Sequence, residues 1–216
     1  MADNPLLAPA QQLLTSRGFA RPGQDEIWVR SAAPGKTGVV WLNAVRRSRF
    51  VDLSRKIGIR YERLTEQVLE LTGLKGPLPW THWQSLYSLH PTTMPPGWSI
   101  VIKGEEERNA VYWDWFAHQL DEYGEQWLAR YADPEQMKAA MRSLEAGGFS
   151  RVTLPVLLWL EGDADGAREA VAWGRSLDVN GAPVLDYDGF AERLITEIEA
   201  RPHGPADRRP GGVRDG

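Results

Sequence analysis

The run from Leu53 to Tyr61 constrains this chain most. Leu53, Arg55, Ile57, Ile59 and Tyr61 alternate with Ser54, Lys56, Gly58 and Arg60. A period of two is the signature of a β-strand with one face covered. It sends Lys56 and Arg60 to one face and places Arg55 with Ile57 and Ile59 on the other. Two runs precede it: Glu26 to Arg30, with Ile27 and Val29 on one face, and Val39 to Ser48. The segment 33–38, APGKTG, is a turn by composition, and Phe50 to Leu53 reads as the next turn. Three strands joined by short turns imply an antiparallel meander. Trp98 to Lys103 reads as a fourth strand. The Pro34-Gly35-Lys36-Thr37 tetrad ends like a phosphate-binding P-loop. Arg30 stands where that pattern needs glycine, and a strand follows where it needs a helix, so a hairpin turn is the better reading.

The second half changes period. Trp113, Phe116, Leu120, Tyr123, Trp127 and Tyr131 step by three or four, one apolar stripe along a long helix. Asp133-Pro134 starts another helix, ended by Gly147-Gly148. Val152 to Leu160 and Ala164 to Leu177 form a helical hairpin, and Asp188 caps a last helix over Phe190 to Ala200. Strands first and helices after predict an α+β fold: a small antiparallel sheet of about four strands packed by a C-terminal helical bundle. Residues 1–200 make a single domain on this reading, mostly strands over 10–103 and helical over 105–200. The apolar-poor segment 201–216 is expected to be a disordered tail.

The chain has 216 residues, no cysteine and a net charge of −4. Disulfides, thiol catalysis and cysteine zinc sites are thereby excluded. No apolar run approaches the roughly 20 residues that cross a bilayer. The N-terminus lacks the basic start of a secretory signal. A cytoplasmic protein without a membrane partner is the expectation.

Charge is unevenly spread. Val39 to Leu64 holds seven cations (Arg46, Arg47, Arg49, Arg55, Lys56, Arg60, Arg63) against Asp52 and Glu62, a net of +5. Glu105 to Glu135 holds nine acids against Arg108 and Arg130, a net of −7. Such blocks either meet external partners or pair within the fold. On the helix, Asp114, His118, Asp121, Glu122 and Glu125 are the natural contacts for a partner protein. On the hairpin, Arg46, Arg47, Arg49, Lys56 and Arg60 are the alternative, an anion-binding set for nucleic acid. Asp114, His118 and Glu122, at i, i+4 and i+8, are also spaced for a metal, but a solvated acidic face gives the same pattern.

The connector Lys75 to Gly97 holds five prolines, with Trp80, Trp83 and Tyr87 followed by Trp98. These rings serve either as a roof on the sheet or as a stacking platform. His82 and His90 lie there with Ser85 and Ser88. No G-x-S-x-G elbow accompanies them, so an unrecognised hydrolase using His82, His90 or His118 ranks third. The turn GDADGAREA resembles that of one tetratricopeptide unit, and one unit cannot stack into a solenoid.

Several segments together resemble a bacterial family catalogued as domain of unknown function 4304. They are the N-terminal helix leading into Arg17-Gly18-Phe19, the strand Ile27-Trp28-Val29-Arg30, the basic Arg46-Arg47-Ser48-Arg49-Phe50, the strand Lys56-Ile57-Gly58-Ile59, and the helical part Pro155 to Leu177. The resemblance implies an antiparallel sheet with C-terminal helices, and no activity. The sequence therefore reads as a non-catalytic bacterial protein-interaction module, of the immunity type that inhibits a toxin. Neither a cofactor nor a metal is expected, and nucleic-acid binding through the basic hairpin is the alternative.

Overall fold

A computed structural model describes residues 7–23, 26–75, 80–89, 99–102, 104–145, 147, 149–177 and 186–205. The fold is α+β. In chain order the elements are α1 (Ala8–Ser16), β1 (Ile27–Ala33), β2 (Lys36–Arg46), β3 (Phe50–Tyr61), α2 (Glu62–Thr72), β4 (His82–Ser85), α3 (Leu86–Leu89), β5 (Ser99–Val101), α4 (Glu106–Gln119), a π-helical turn (Leu120–Gly124), α5 (Glu125–Ala132), α6 (Pro134–Arg142), α7 (Ser150–Leu160), α8 (Ala164–Ser176) and α9 (Tyr187–Ala200). The chain forms two compact units, Met1–Thr65 with Leu78–Ala139, and Glu66–Pro77 with Ala140–Gly216. The long helix from Glu106 belongs with the strands, so the strand-rich and helical halves read from the sequence do not coincide with these units. Among the described residues no helix is long and apolar enough to cross a membrane.

In the first unit β2 and β3 pair antiparallel from Lys36↔Tyr61 to Arg46↔Val51. The reversal occupies 47–49, and the expected turn over 50–53 is already strand. β1 flanks β2, and β4 and β5 both pair with β3. The strand His82–Ser85 raises the count from four to five. It is four residues long inside a proline-rich connector, too short to alternate visibly. Beyond β1, the backbones of Ala20 and Val29 exchange two hydrogen bonds of 2.8 Å.

Cross-strand partners share a face, so the register sorts the side chains. Trp28, Val40, Leu42, Ile57 and Ile59 form the covered inner face, all buried. The helix 106–132 lies on it so closely that a Cβ on Gly124 would come within 3.0 Å of Ile57 Cδ1. A π turn over Leu120–Gly124 lies at this closest approach, with Gly124 buried and Tyr123 half-buried. Lys36 Nζ donates to Ala132 O at 2.5 Å, placing a cation at the negative end of the helix. The Tyr61 hydroxyl donates to Tyr131 O at 2.8 Å.

In the second unit α7 is buried almost all round, and α8 and α9 pack beside it. Asp163 caps α8 by accepting from Gly166 N at 2.8 Å. Asp186, not the expected Asp188, caps α9 by accepting from Gly189 N at 3.0 Å. Asp188 instead pairs with Arg175 at 3.2 Å. Residues 201–205 form a turn held by Trp159 Nε1, which donates to Arg201 O at 2.9 Å. That part of the expected tail is structured, and 206–216 lie outside the described residues.

Candidate functional site

The alternation of β3 sets Lys56 on the outer face of the sheet, as its sequence predicts. Register then supplies what the sequence does not. Trp41 of β2 stands directly across from Lys56, and Trp83 of β4 stands across from Gly58. Gly58 has no side chain, so the Trp80 chain can lie against it; a Cβ there would meet Trp80 Cβ at 3.0 Å and His82 O at 3.2 Å. The three indoles touch in series, Trp41 to Trp80 at 5.4 Å and Trp80 to Trp83 at 5.7 Å, tilted by 47° and 50°. The Lys56 ammonium sits among them, 4.6, 5.5 and 3.8 Å from the centroids of Trp41, Trp80 and Trp83. Each ring face attracts the cation by about 0.5–1 kcal/mol at such an exposed site. Desolvation by burial pulls the Lys56 amine below its ordinary value. The indole faces favour the charged form and oppose that pull.

This face continues toward the hairpin tip. By register Asn43 and Ser54, Val45 and Asp52 follow on the same side. Val45, Phe50 and Trp83 are exposed, with 41% of Trp83 accessible. Arg46, Arg47 and Arg49 surround the tip and are exposed. Arg47 pairs with Asp52 at 3.0 Å, and Arg60 is clamped to Glu62 at 2.9 and 3.0 Å. The five cations of the anion-binding set thus divide: Lys56 in the indole cage, Arg60 against Glu62, and Arg46, Arg47 and Arg49 together at the tip.

The acidic helix finds its counter-ions elsewhere than the basic hairpin. Arg17, just after α1, makes a two-pronged pair with Asp121, Nε to Oδ1 at 2.5 Å and Nη2 to Oδ2 at 2.6 Å. That hydrogen bond raises the Arg17 value above its ordinary one. Arg30 of β1 pairs with Glu125 and lies 4.5 Å over the Phe19 ring. Asp114, His118 and Glu122 remain exposed, and the His118 ring meets Tyr123 edge-on at 6.0 Å.

Among the described residues, those weighed for hydrolysis do not converge. His82 is 1% exposed, packed edge-on to Tyr131 at 4.6 Å and against Trp127 at 5.0 Å. Ser88 Oγ donates to Ser85 O at 2.8 Å and accepts from Gln84. His90 and Trp98 lie outside the described residues. Among the described residues no three metal-ligating side chains are grouped. In the second unit a shallow groove is lined by Arg142, Leu154, Leu158, Glu169 and Trp173.

Arg55 is the unexpected side chain. Its strand position puts it on the apolar face, where it is 3% exposed. Its guanidinium stacks 5.2 Å from the Tyr112 ring and 4.6 Å from Trp115. Burial lowers its value from the ordinary one, and arginine stays charged even so. Burial also pushes the Tyr112 hydroxyl up to about 12, against the opposing pull of Arg55.

No family model, curated protein or solved structure matches this chain. Function therefore rests on the geometry. Of the cage, sequence reasoning singled out Lys56, Trp80 and Trp83 separately and missed Trp41, whose place depends on strand register.

Proposed function

We propose that this chain is a non-catalytic binding module that takes single-stranded nucleic acid on the outer face of its sheet. The observation carrying the proposal is that one face of the sheet holds rings and cations at both its ends. Trp83 and the caged Lys56 lie at one end, and Phe50 with Arg47 and Arg49 of the hairpin tip lies at the other, with Asn43, Ser54, Val45 and Asp52 between, while Arg46 falls on the opposite face by register. Lys56 lies six residue steps along β3 from Phe50, about 20 Å at the rise of a strand. That length suits about three extended nucleotides, with bases on rings and phosphates near cations. The single acid of this stretch, Asp52, is already neutralised by Arg47. On this reading the chain works in the cytoplasm.

Tryptophan quenching by homopolymeric oligonucleotides tests it. Three neutralised phosphates give a slope of about −2 in log K against log salt. Trp83→Ala should weaken binding by about 1–3 kcal/mol, and Arg47→Glu with Arg49→Glu should flatten the salt slope. Absence of binding at low salt to every homopolymer refutes the proposal.

A second reading is favoured by the helix face. Val111 is 52% exposed and lies one turn before Asp114, in line with His118 and Glu122. An apolar residue beside acids without an ion pair among the described residues suits a cationic protein, as a toxin-inhibiting immunity protein requires. Asp121 and Glu125, already paired, would contribute less. Charge reversal at Asp114 and Glu122 that leaves capture of a cationic partner unchanged would rule this out.

A further inference from the structure

The groove of the second unit carries an inference that does not rest on the outer face of the sheet. Its volume is about 290 Å³, at the lower end of the range for small-molecule sites. The residues lining it all belong to the second unit. α7 supplies an apolar floor of Leu154 and Leu158, both almost fully buried. α8 supplies a wall. Gly166, Glu169, Ala170 and Trp173 follow at i, i+3, i+4 and i+7, the spacing that gathers side chains on one helical face. Gly166 and Ala170 carry little or no side chain, so the half-buried Trp173 ring borders a recess. The last turn of α6 adds Arg142.

Charge is the second observation. On α6, Glu135 pairs with Lys138 at 2.5 Å. On α8, Asp165 pairs with Arg168 at 2.8 Å, and Arg175 pairs with Asp188 at 3.2 Å. That leaves one charged side chain on each helix without an ion pair among the described residues, Arg142 and Glu169, and both line the groove. Both are exposed, and they do not pair with each other. An apolar floor and an indole thus meet one cation and one anion. A guanidinium grips a carboxylate with two parallel N–H groups. A carboxylate accepts from an ammonium, and an indole packs on an apolar or aromatic group. A ligand with only a carboxylate would face the like charge of Glu169, and one with only an amine would face Arg142.

We infer that this groove binds a zwitterionic amino acid with an aromatic or branched apolar side chain. Arg142 holds its carboxylate, Glu169 holds its ammonium, and Trp173 with Leu154 and Leu158 receives its side chain.

The experiment is a ligand-observed NMR titration of the full chain at low salt. The probes are L-phenylalanine, L-leucine, 3-phenylpropionate and phenethylamine. L-phenylalanine should bind with a Kd of about 1 mM or tighter, as a ligand of this size allows. 3-Phenylpropionate and phenethylamine, each lacking one charge, should bind about tenfold more weakly or worse. Arg142→Gln and Glu169→Gln should each weaken L-phenylalanine by a similar factor. Glu169→Gln should at the same time tighten 3-phenylpropionate, from which it removes a like charge. No saturable binding of either amino acid up to about 10 mM overturns the inference. So does equal affinity for L-phenylalanine and either single-charge analogue, or an L-phenylalanine affinity unchanged in either variant. The comparison among probes needs the wild type alone, so it decides even where a variant fails to fold.

Discussion

Replacing Gly174 by alanine separates a packing argument from a propensity argument by sign. Gly174 lies inside α8, where Gly→Ala ordinarily stabilises a helix by about 1 kcal/mol. Here the added Cβ would fall 2.0 Å from the Tyr187 hydroxyl, 2.7 Å from its Cζ and 3.2 Å from Arg151 O. The hydroxyl cannot simply retreat, because it sits 3.2 Å from both Arg151 O and Val171 O in a buried position. Displacing it forfeits a hydrogen bond worth about 1 kcal/mol. Overpacking adds about 1–3 kcal/mol. Against the propensity gain, the net is a loss of about 1–3 kcal/mol, or about 2–4 °C in Tm per kcal/mol for a chain of this size. Urea unfolding followed by circular dichroism should show a lower midpoint at unchanged slope. In a Tyr187→Phe background the closest atom is gone, and the cost of the alanine should shrink. A midpoint raised by Gly174→Ala in the wild-type background would refute the reasoning.

Two further outcomes follow from the same side chains and from the cage. Burial pushes the Tyr112 and Tyr187 hydroxyls up to about 12. Their folded values lie above the unfolded one near 10, so their contribution is complete below about pH 10 and lost as pH rises toward 12. At two pH units each it is at most about 3 kcal/mol per residue. Absorbance at 295 nm should show a late ionisation coinciding with alkaline unfolding; one that persists in the Tyr112→Phe, Tyr187→Phe double variant speaks against this. Gly58→Ala should cost about 1–3 kcal/mol, since its Cβ would press on Trp80 and on the fixed carbonyl of His82. It should also alter the near-ultraviolet spectrum of the indole cluster, and an unchanged spectrum would argue against the cage.

What the sequence revealed, and what it hid, divides along one line. Local periodicity was legible. The alternation of β3 placed Lys56 and Arg55 on opposite faces, and the structure keeps both assignments. The helical stripe from Trp113 to Tyr131 was legible except at the π turn, because a one-residue widening leaves no compositional mark. Long-range pairing was not legible. Trp41, Lys56, Trp80 and Trp83 meet only through the β2–β3–β4 register. The acidic helix draws its counter-ions from Arg17 and Arg30, distant in sequence and outside the basic block that seemed their complement. Charge totals announce that compensation is required, and topology decides who supplies it.

The paired backbone bonds between Ala20 and Val29 bear on how the margin of the sheet is guarded. A strand at the margin of a sheet offers bare donors and acceptors to any passing chain. β1 is such a strand, and the stretch just after α1 occupies part of its outer flank. The loop thus fills, at Val29, backbone positions on which a further strand would otherwise pair. A fragment starting at β1 would lose that guard while keeping all five strands.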